Sequence, residues 1–225
     1  MPDLTILIPA AGASSRMRGR DKLLEPVDGQ PLIARQARVA LTTACPVIVT
    51  LRENDPRAAA LLGLDLTLLP VPDAATGLAA SFRAVAARVE TALMILPADM
   101  PDLTADDLAA MIKAFARDTD SIHRGATAEG RPGHPVILPA RYLSDIATLS
   151  GDTGAKDLVA RTGANLVTLP GDHAITDLDT PEDWSRWRQH RQEPTKGRTK
   201  RRSAVTPPAA PGPRDVSTTV APPDS

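Results

Sequence analysis

One loop near the N-terminus carries residue types that can bind and neutralise phosphate groups. It follows a short apolar run at residues 4–8 and combines small residues with hydroxyls and cations. Small residues let a backbone turn tightly and bring its N–H groups close to an anion, while arginine supplies a fixed fork of donors and lysine a mobile charge. Such a loop is predicted to hold a triphosphate and to stabilise charge on a leaving pyrophosphate. The predicted nucleotide ligands are Ala10, Ala11, Gly12, Ala13, Ser14, Ser15, Arg16 and Lys22, of which Arg16 and Lys22 are also predicted to be catalytic.

Two better-known phosphate loops are excluded by the same residues. No Gly-Lys-Ser/Thr pair is present, so the loop is not a Walker A motif, and Gly12 lacks the further glycines of the dinucleotide fingerprint. The alternative is a plain strand-to-helix loop with a solvated basic face. The position directly after the first strand, with two hydroxyls and several cations, favours phosphate binding.

A carboxylate at the end of a second apolar run is the candidate for binding a metal and for catalysis. Asp99 follows residues 92–96, and ligands of open α/β sheets gather at the carboxyl ends of strands. Mg²⁺ prefers hard oxygens and takes one or two carboxylates together with substrate phosphates. Asp179 is the predicted second ligand, with Asp177 as its alternative. For Asp99 the alternative role is capping the next helix, for which Asp102 and Thr104 are better placed.

Apolar runs alternate with segments of helical periodicity along most of the chain. This alternation predicts an α/β fold, a Rossmann-like, mostly parallel sheet flanked by helices in three α/β/α layers. Two short strands bridged by a polar loop at 128–133 are expected in the second half. The predicted strands are 4–8, 47–49, 64–69, 92–96 and 166–169, and the predicted helices 31–43, 56–62, 77–89, 104–117, 141–149, 153–162 and 181–190.

Composition limits the class of protein. The 225 residues are 42% hydrophobic and 2% aromatic with a formal net charge of -1, which gives neither the basic field nor the stacking platforms of a nucleic-acid binder. No run of about 18 apolar residues is present, so no transmembrane helix is predicted, and a cytoplasmic protein with a buried Cys45 is expected. Residues 1–191 are predicted to form one domain, and 192–225, basic and then Pro/Ala-rich, a disordered tail.

Several motifs together resemble one known family. Ile8-Pro9-Ala10-Ala11-Gly12-Ala13-Ser14-Ser15-Arg16-Met17, with Lys22 following, resembles the signature loop of the MobA-like NTP transferases. The resemblance runs over residues 4–188 and implies the nucleotide-diphospho-sugar transferase type of fold. It also implies transfer of a nucleotidyl group from an NTP to the phosphate of molybdopterin or molybdenum cofactor. The later motifs, in matching order, are Leu96-Pro97-Ala98-Asp99-Met100-Pro101, Gly133-His134-Pro135-Val136, Ser150-Gly151-Asp152-Thr153-Gly154-Ala155 and Asp177-Leu178-Asp179-Thr180-Pro181.

The resemblance extends to the nucleotide. The pairs Ala10-Ala11 and Ala98-Asp99 are similar to those of molybdenum cofactor cytidylyltransferases and imply CTP, whereas guanylyltransferase relatives usually have Gly-Gly and Cys-Asp. Pro9 stands where the family generally has Leu.

Further site residues are implied by the resemblance, each with a structural alternative. Gly77 and Ser81 would lie near the base and ribose, or Ser81 would cap a helix. Gly133 and His134 would lie in the acceptor pocket, or His134 would be a structural residue. Asp152 would help bind the substrate in a second anion-binding turn, or act as an ordinary N-cap.

Other functions stay open beside this one. They are a guanylyltransferase, a sugar- or alditol-phosphate nucleotidyltransferase of the same fold, and a non-catalytic carrier or chaperone of the cofactor. A molybdoenzyme or its chaperone is the expected protein partner.

Overall fold

A seven-stranded sheet organises the chain in a computed structural model that describes residues 3–151 and 155–192. The strands are β1 (Leu4–Pro9), β2 (Pro26–Val27), β3 (Gln30–Pro31), β4 (Val47–Leu51), β5 (Thr67–Pro70), β6 (Ala92–Ile95), β7 (His123–Ala126), β8 (Pro132–Leu138) and β9 (Asn165–Thr168). The helices are α1 (Leu32–Leu41), α2 (Leu78–Ala86), α3 (Ala105–Phe115), α4 (Leu143–Ala147), α5 (Lys156–Thr162) and α6 (Pro181–Gln192).

The sheet is mostly parallel, with one reversed strand. Its order is β5-β4-β1-β6-β8-β7-β9, and β2 pairs with β3 in a separate hairpin. Strand β8 runs antiparallel to both β6 and β7, while the remaining strands of the large sheet share one direction. The predicted fold class is therefore confirmed.

Helices cover both faces of the sheet because the central strands are apolar on both sides. In β1, Ile6 and Ile8 pack with α1 and α3, whereas Leu7 packs with α2, α4 and α5 on the opposite face. Successive strand residues point to opposite faces, so an unbroken apolar run such as β1 requires a helical layer on each side. The parallel strands thus place their carboxyl ends, and the loops that follow, at one edge.

Several predicted elements differ in extent or type. The segment predicted as a helix at 56–62 is a 3₁₀ helix, Pro56–Leu61. Strand β5 begins at Thr67, later than predicted. The Leu64 and Leu66 amides donate to carbonyls two or three residues earlier and so form turns instead of pairing with β4. The β2–β3 hairpin was not predicted, although its Asp28-Gly29 turn, with φ of 52° and 79°, has the sequence typical of a tight hairpin.

Other expectations concern single residues and the chain end. Cys45 is buried, as predicted. Residues 152–154 and 193–225 lie outside the described part of the chain, so Asp152 and the predicted tail stay predictions. Among the described helices, none is long and apolar enough to cross a membrane.

Candidate active site

A cleft of about 1070 Å³ opens at the carboxyl edge of the sheet. The loop after β1, the end of β6, the start of α2, the β7–β8 hairpin and the segment before α6 form its walls. The structure thus brings the predicted site residues of its described part into one cavity. They are Ala10, Ala11, Gly12, Ala13, Ser14, Ser15, Arg16, Lys22, Gly77, Ser81, Asp99, Gly133, His134 and Asp179, joined by Asp177.

The loop after β1 presents backbone donors to this cleft. Among the described residues, the amides of Ala11, Gly12, Ala13 and Ser14 have no hydrogen-bond acceptor. The carbonyls of Ala10 and Gly12 are held from behind by the Arg57 guanidinium. In a trans peptide the N–H points away from the preceding C=O, so the Ala11 and Ala13 amides face away from Arg57. This row of free donors is suited to bind an anion.

Arg57 is the residue that shapes the loop, and sequence analysis missed it. It is fully buried (0% exposed) at the first turn of the 3₁₀ helix after β4. Its Nε donates to Asp21 Oδ2 at 2.6 Å and its Nη1 to the Gly12 carbonyl at 2.8 Å. Its amide is capped by Asp55. Arg57 therefore fixes the path of the loop without lining the cleft.

Ser14 links the same network to the start of the Lys22 segment. Its hydroxyl accepts a hydrogen bond from Arg57 Nη2 at 3.1 Å and donates to Asp21 Oδ1 at 3.2 Å. Burial favours the neutral form of the Asp21 carboxyl, but hydrogen bonds from Arg57 and from the Leu23 amide outweigh it and lower the pKa of Asp21. In this arrangement the Ser14 hydroxyl secures the loop, a role that the sequence did not predict.

Lys22 lies between the two carboxylates predicted to bind the metal. Its Nζ donates to Asp99 Oδ2 at 2.5 Å and to Asp179 Oδ1 at 2.6 Å. Burial opposes the charge of Lys22, yet the charges of Asp99 and Asp179 outweigh it and raise the pKa of the ammonium. Lys22 therefore stays protonated at neutral pH. The Leu178 amide, which donates to the Asp99 carbonyl at 3.1 Å, holds the two acidic segments together.

The remaining charges at this end are Arg16 and Asp177. Arg16, whose side chain is 71% exposed, pairs with Asp179. Burial and the neighbouring charges of Asp179 and Asp99 raise the pKa of Asp177. Within residues 3–151 and 155–192 the Asp177 side chain forms no ion pair, in contrast to Asp179, which contacts both Lys22 and Arg16.

The two carboxylates can supply part of the ligands of a metal ion, with the remaining ligands coming from the substrate. Asp99 and Asp179 both touch Lys22 Nζ, so the ammonium occupies the position between their oxygens, and a metal ion shared by the two carboxylates would have to displace it. No cluster of three or more His, Cys, Asp or Glu side chains converges on a metal position within residues 3–151 and 155–192. Two carboxylates completed by phosphate oxygens are the usual binding mode of Mg²⁺.

The start of α2 forms another wall of the cleft. Gly77 precedes α2 with φ of 107°, a conformation that L side chains rarely adopt. Ser81 is buried in the second turn of α2 and lines the cleft. Because Ser81 lies within the helix and Gly77 occupies the N-cap, the capping alternative for Ser81 is wrong.

The β7–β8 hairpin forms a further wall of the cleft. His134 donates its amide to the Ala174 carbonyl at 2.7 Å, and its ring Nδ1 is buried without a partner among the described residues. Burial and the charge of Arg124 lower the pKa of His134 to about 4, against the opposing charge of Asp99. Gly133 packs so tightly that a Cβ would overlap the Ala174 carbonyl. The hairpin is thus held closely against the segment before α6.

Known proteins are similar to this chain in sequence and in fold. A molybdenum cofactor guanylyltransferase of Pseudomonas paraeruginosa is 29% identical over 199 residues, covering 81% of this chain and 93% of the relative. A molybdenum cofactor cytidylyltransferase of Escherichia coli K12 is 27% identical over 190 residues, covering 82% and 95%. The crystal structure of Rv0371C from Mycobacterium tuberculosis H37Rv, in complex with manganese, superposes with a TM-score of 0.63 at 25% identity, covering 82% of this chain and 97% of that one.

The family itself is identified by a match along almost the whole described region. The sequence profile of the MobA-like NTP transferase domain matches residues 6–192. This span begins within β1 and ends with α6, and it includes each wall of the cleft. The chain therefore belongs to the family of MobA-like NTP transferase domains.

Proposed function

We propose that this protein transfers CMP from CTP to the terminal phosphate of molybdopterin or molybdenum cofactor and releases pyrophosphate. The acceptor is supported by the relatives, whose names state that they act on molybdenum cofactor. These relatives include both guanylyl- and cytidylyltransferases, so the choice of CTP rests on the Ala10-Ala11 and Ala98-Asp99 pairs.

The observation that carries the proposal is the union of two features in one cleft. The free amides of residues 11–14 can receive phosphate oxygens, and Lys22 stands beside them between Asp99 and Asp179. A polyphosphate bound along the loop therefore meets the cations Lys22 and Arg16, beside two carboxylates whose charge a divalent cation would offset. This arrangement suits a reaction in which charge develops on a departing pyrophosphate.

The chemistry requires alignment more than a protein base. An oxygen of the acceptor phosphate attacks the α-phosphorus, a new P–O bond forms, and the bond to the β-phosphate oxygen breaks. A phosphate monoester is largely ionised near neutral pH, so no side chain has to remove a proton. Lys22 and Arg16 would neutralise the β and γ phosphates, while Arg57 keeps the loop in place.

A divalent cation is part of the proposal. Asp99 and Asp179 would hold Mg²⁺, which when bound withdraws charge from phosphate oxygens. The manganese complex of the M. tuberculosis neighbour supports a divalent ion in a protein of this fold.

Pro9 gives no reason to expect a displaced loop. The pairing of β1 with β4 continues through Pro9 and Thr50, and the next amide, that of Ala10, donates to the Thr50 carbonyl at 3.0 Å. The strand therefore enters the loop with regular geometry, although proline itself donates no hydrogen bond.

The test is pyrophosphate release with Mg²⁺, molybdenum cofactor and each NTP supplied separately. We expect turnover with CTP and a loss of about 10²-fold or more in Asp99→Ala. Asp106→Ala is the matched control, because Asp106 is exposed on α3 outside the cleft.

Each other outcome has a defined meaning. Turnover with GTP alone would keep the reaction and overturn the nucleotide choice. Cofactor binding without pyrophosphate from any NTP would support a carrier, and sugar or alditol phosphates would then be tried as acceptors.

A further inference from the structure

Arg124, on β7, is a cation in the cleft that no acidic side chain of the described residues pairs with. It is half-buried and lines the cleft, and its Nε donates to the Gly133 carbonyl at 2.8 Å. Its two terminal nitrogens have no hydrogen-bond or ion-pair partner among the described residues. Sequence analysis did not single it out.

The local backbone is built to aim this side chain. The register of β7 against β8 shifts between Arg124 and Ala126, and such bulges often redirect a side chain beside an active site. Gly125 lies at the shift, where a Cβ would overlap the His134 carbonyl and lie 3.1 Å from Leu169 Cδ1. The glycine therefore allows β7 to approach His134 closely. This approach brings Arg124 Nε within hydrogen-bonding distance of the Gly133 carbonyl.

The other arginines that line the cleft are paired with carboxylates. Arg16 pairs with Asp179 and Arg52 with Asp55. Burial of Arg124, by contrast, lowers the pKa of its guanidinium with no opposing carboxylate. The unpartnered Nδ1 of His134 is close enough for the Arg124 charge to affect its titration. A guanidinium partly removed from water is costly unless an anion meets it.

We propose that Arg124 binds the phosphate group of the acceptor, through the two terminal nitrogens of its guanidinium. This inference rests on the proposed function and adds a specificity-determining residue to it. In the sheet, β6 with Asp99 lies between β1 and β8, so Arg124 approaches Asp99 from the side opposite the glycine loop. Arginine forks match phosphate oxygens in pairs. The acceptors selected are then phosphate monoesters, and uncharged alcohols are disfavoured.

The first measurement separates the two substrates kinetically. Arg124→Gln should raise the KM for the acceptor by about tenfold or more, because it removes a charged partner of a phosphate, and should leave the KM for CTP within about twofold. Arg124→Lys keeps the charge but loses the planar fork of donors, so its KM for the acceptor should lie between those of the wild type and Arg124→Gln. The control is Arg117→Gln, an exposed arginine outside the cleft. A rise in the KM for CTP alone would place Arg124 in the nucleotide half and overturn the proposal.

The second measurement does not depend on turnover. With Mg²⁺ and a non-hydrolysable CTP analogue filling the nucleotide site, inorganic phosphate is titrated and followed by ³¹P NMR line broadening. Phosphate should bind the wild-type protein, and its affinity for Arg124→Gln should be lower by about tenfold or more. Equal binding by both proteins, or none by the wild type, would overturn the proposal. Phosphate binding that depends on Arg124, without turnover of molybdenum cofactor, would instead refute the proposed function and leave the phosphate site with another phosphomonoester.

Discussion

At the level of single residues, the cleft is defined by which charges are compensated and which are not. Lys22 is enclosed by Asp99 and Asp179, whereas the terminal nitrogens of Arg124 and the ring Nδ1 of His134 lack protein partners in the described chain. In the proposed function, the uncompensated groups are the ones available to the acceptor.

His134 predicts a loss of stability in acid. Its pKa is about 4 in the folded protein against an ordinary 6.5, so the unfolded chain binds a proton first as the pH falls. The free energy of unfolding therefore has its full value above pH 6.5 and decreases as the pH falls towards 4. The loss is about 3 kcal/mol in all, of which about 2 kcal/mol has occurred by pH 5. Urea unfolding at pH 7 and pH 5 should show a smaller loss in His134→Gln than in wild type. His190→Gln, at an exposed position, should behave as wild type, and an unchanged pH dependence in His134→Gln would contradict the assignment.

Sequence analysis identified residues whose chemistry is evident from their local motif. The glycine loop, Asp99 and Asp179 were found because small residues, cations and carboxylates follow predicted strands, and the structure places them in one cleft. Arg124 was missed because its partner is the backbone carbonyl of Gly133, and Arg57 because it binds the Gly12 carbonyl and a carboxylate, Asp21, that lies 36 residues away in the sequence. Backbone acceptors leave no pattern in side-chain types. An isolated basic residue beside Gly125, within a short strand, was the one available signal for Arg124.

At the level of elements, the 3₁₀ helix after β4 supports the loop after β1 through Arg57. Arg57→Met keeps much of the volume but removes the donors to Ala10, Gly12, Ser14 and Asp21. We expect a loss of about 3–5 kcal/mol in unfolding free energy, as for breaking other buried ion pairs, and a higher KM for the nucleotide. Denaturant unfolding and steady-state kinetics measure these two effects.

Two comparison variants make that prediction specific. Arg38→Met, at an exposed position of α1, should change stability by less than about 0.5 kcal/mol. The double variant Arg57→Met/Asp21→Asn should lose less unfolding free energy than the sum of the losses in the two single variants, because both substitutions remove the same Arg57–Asp21 pair. Additive effects would argue against the network.

Element types were predictable where burial is periodic. Strands β1 and β6 were placed to within about one residue because they are apolar on both faces. The antiparallel pairing of β8 with β7 follows from the short loop that joins them, but the place of β8 beside β6 was not predictable, because a strand buried on both sides has the same apolar run wherever it lies in the sheet. In the segment 56–62 the Asp55 cap and Pro56 suit the start of an α-helix and of a 3₁₀ helix alike, so the helix type was not predictable.

At the level of the whole molecule, the C-terminal part divides into a helix that the fold needs and a tail that we expect to be dispensable. Helix α6 contributes Trp184 and Trp187 to a core cluster with Met17 and Leu32, and Arg188 of α6 pairs with Glu25. Residues 193–225 have a composition that cannot bury apolar area, and the family match ends at residue 192.

A chain ending at residue 192 should keep its melting temperature within about 2 °C and its turnover within about twofold. A chain ending at residue 180 lacks both tryptophans and should fail to fold. Thermal melts of both truncations, with pyrophosphate release for the first, test this division. Loss of turnover in the longer truncation would give the tail a function.

The reversed direction of β8 has a consequence for how this fold can diversify. Because β8 runs against its neighbours, Gly133 and His134 reach the cleft at the beginning of their strand, whereas the loop after β1 and Asp99 reach it beyond the ends of theirs. The wall that we assign to the acceptor therefore follows one hairpin turn, residues 127–131, and the proposed nucleotide site follows separate connections. Insertions or substitutions in that turn can change the acceptor during evolution while the proposed nucleotide-binding site is conserved.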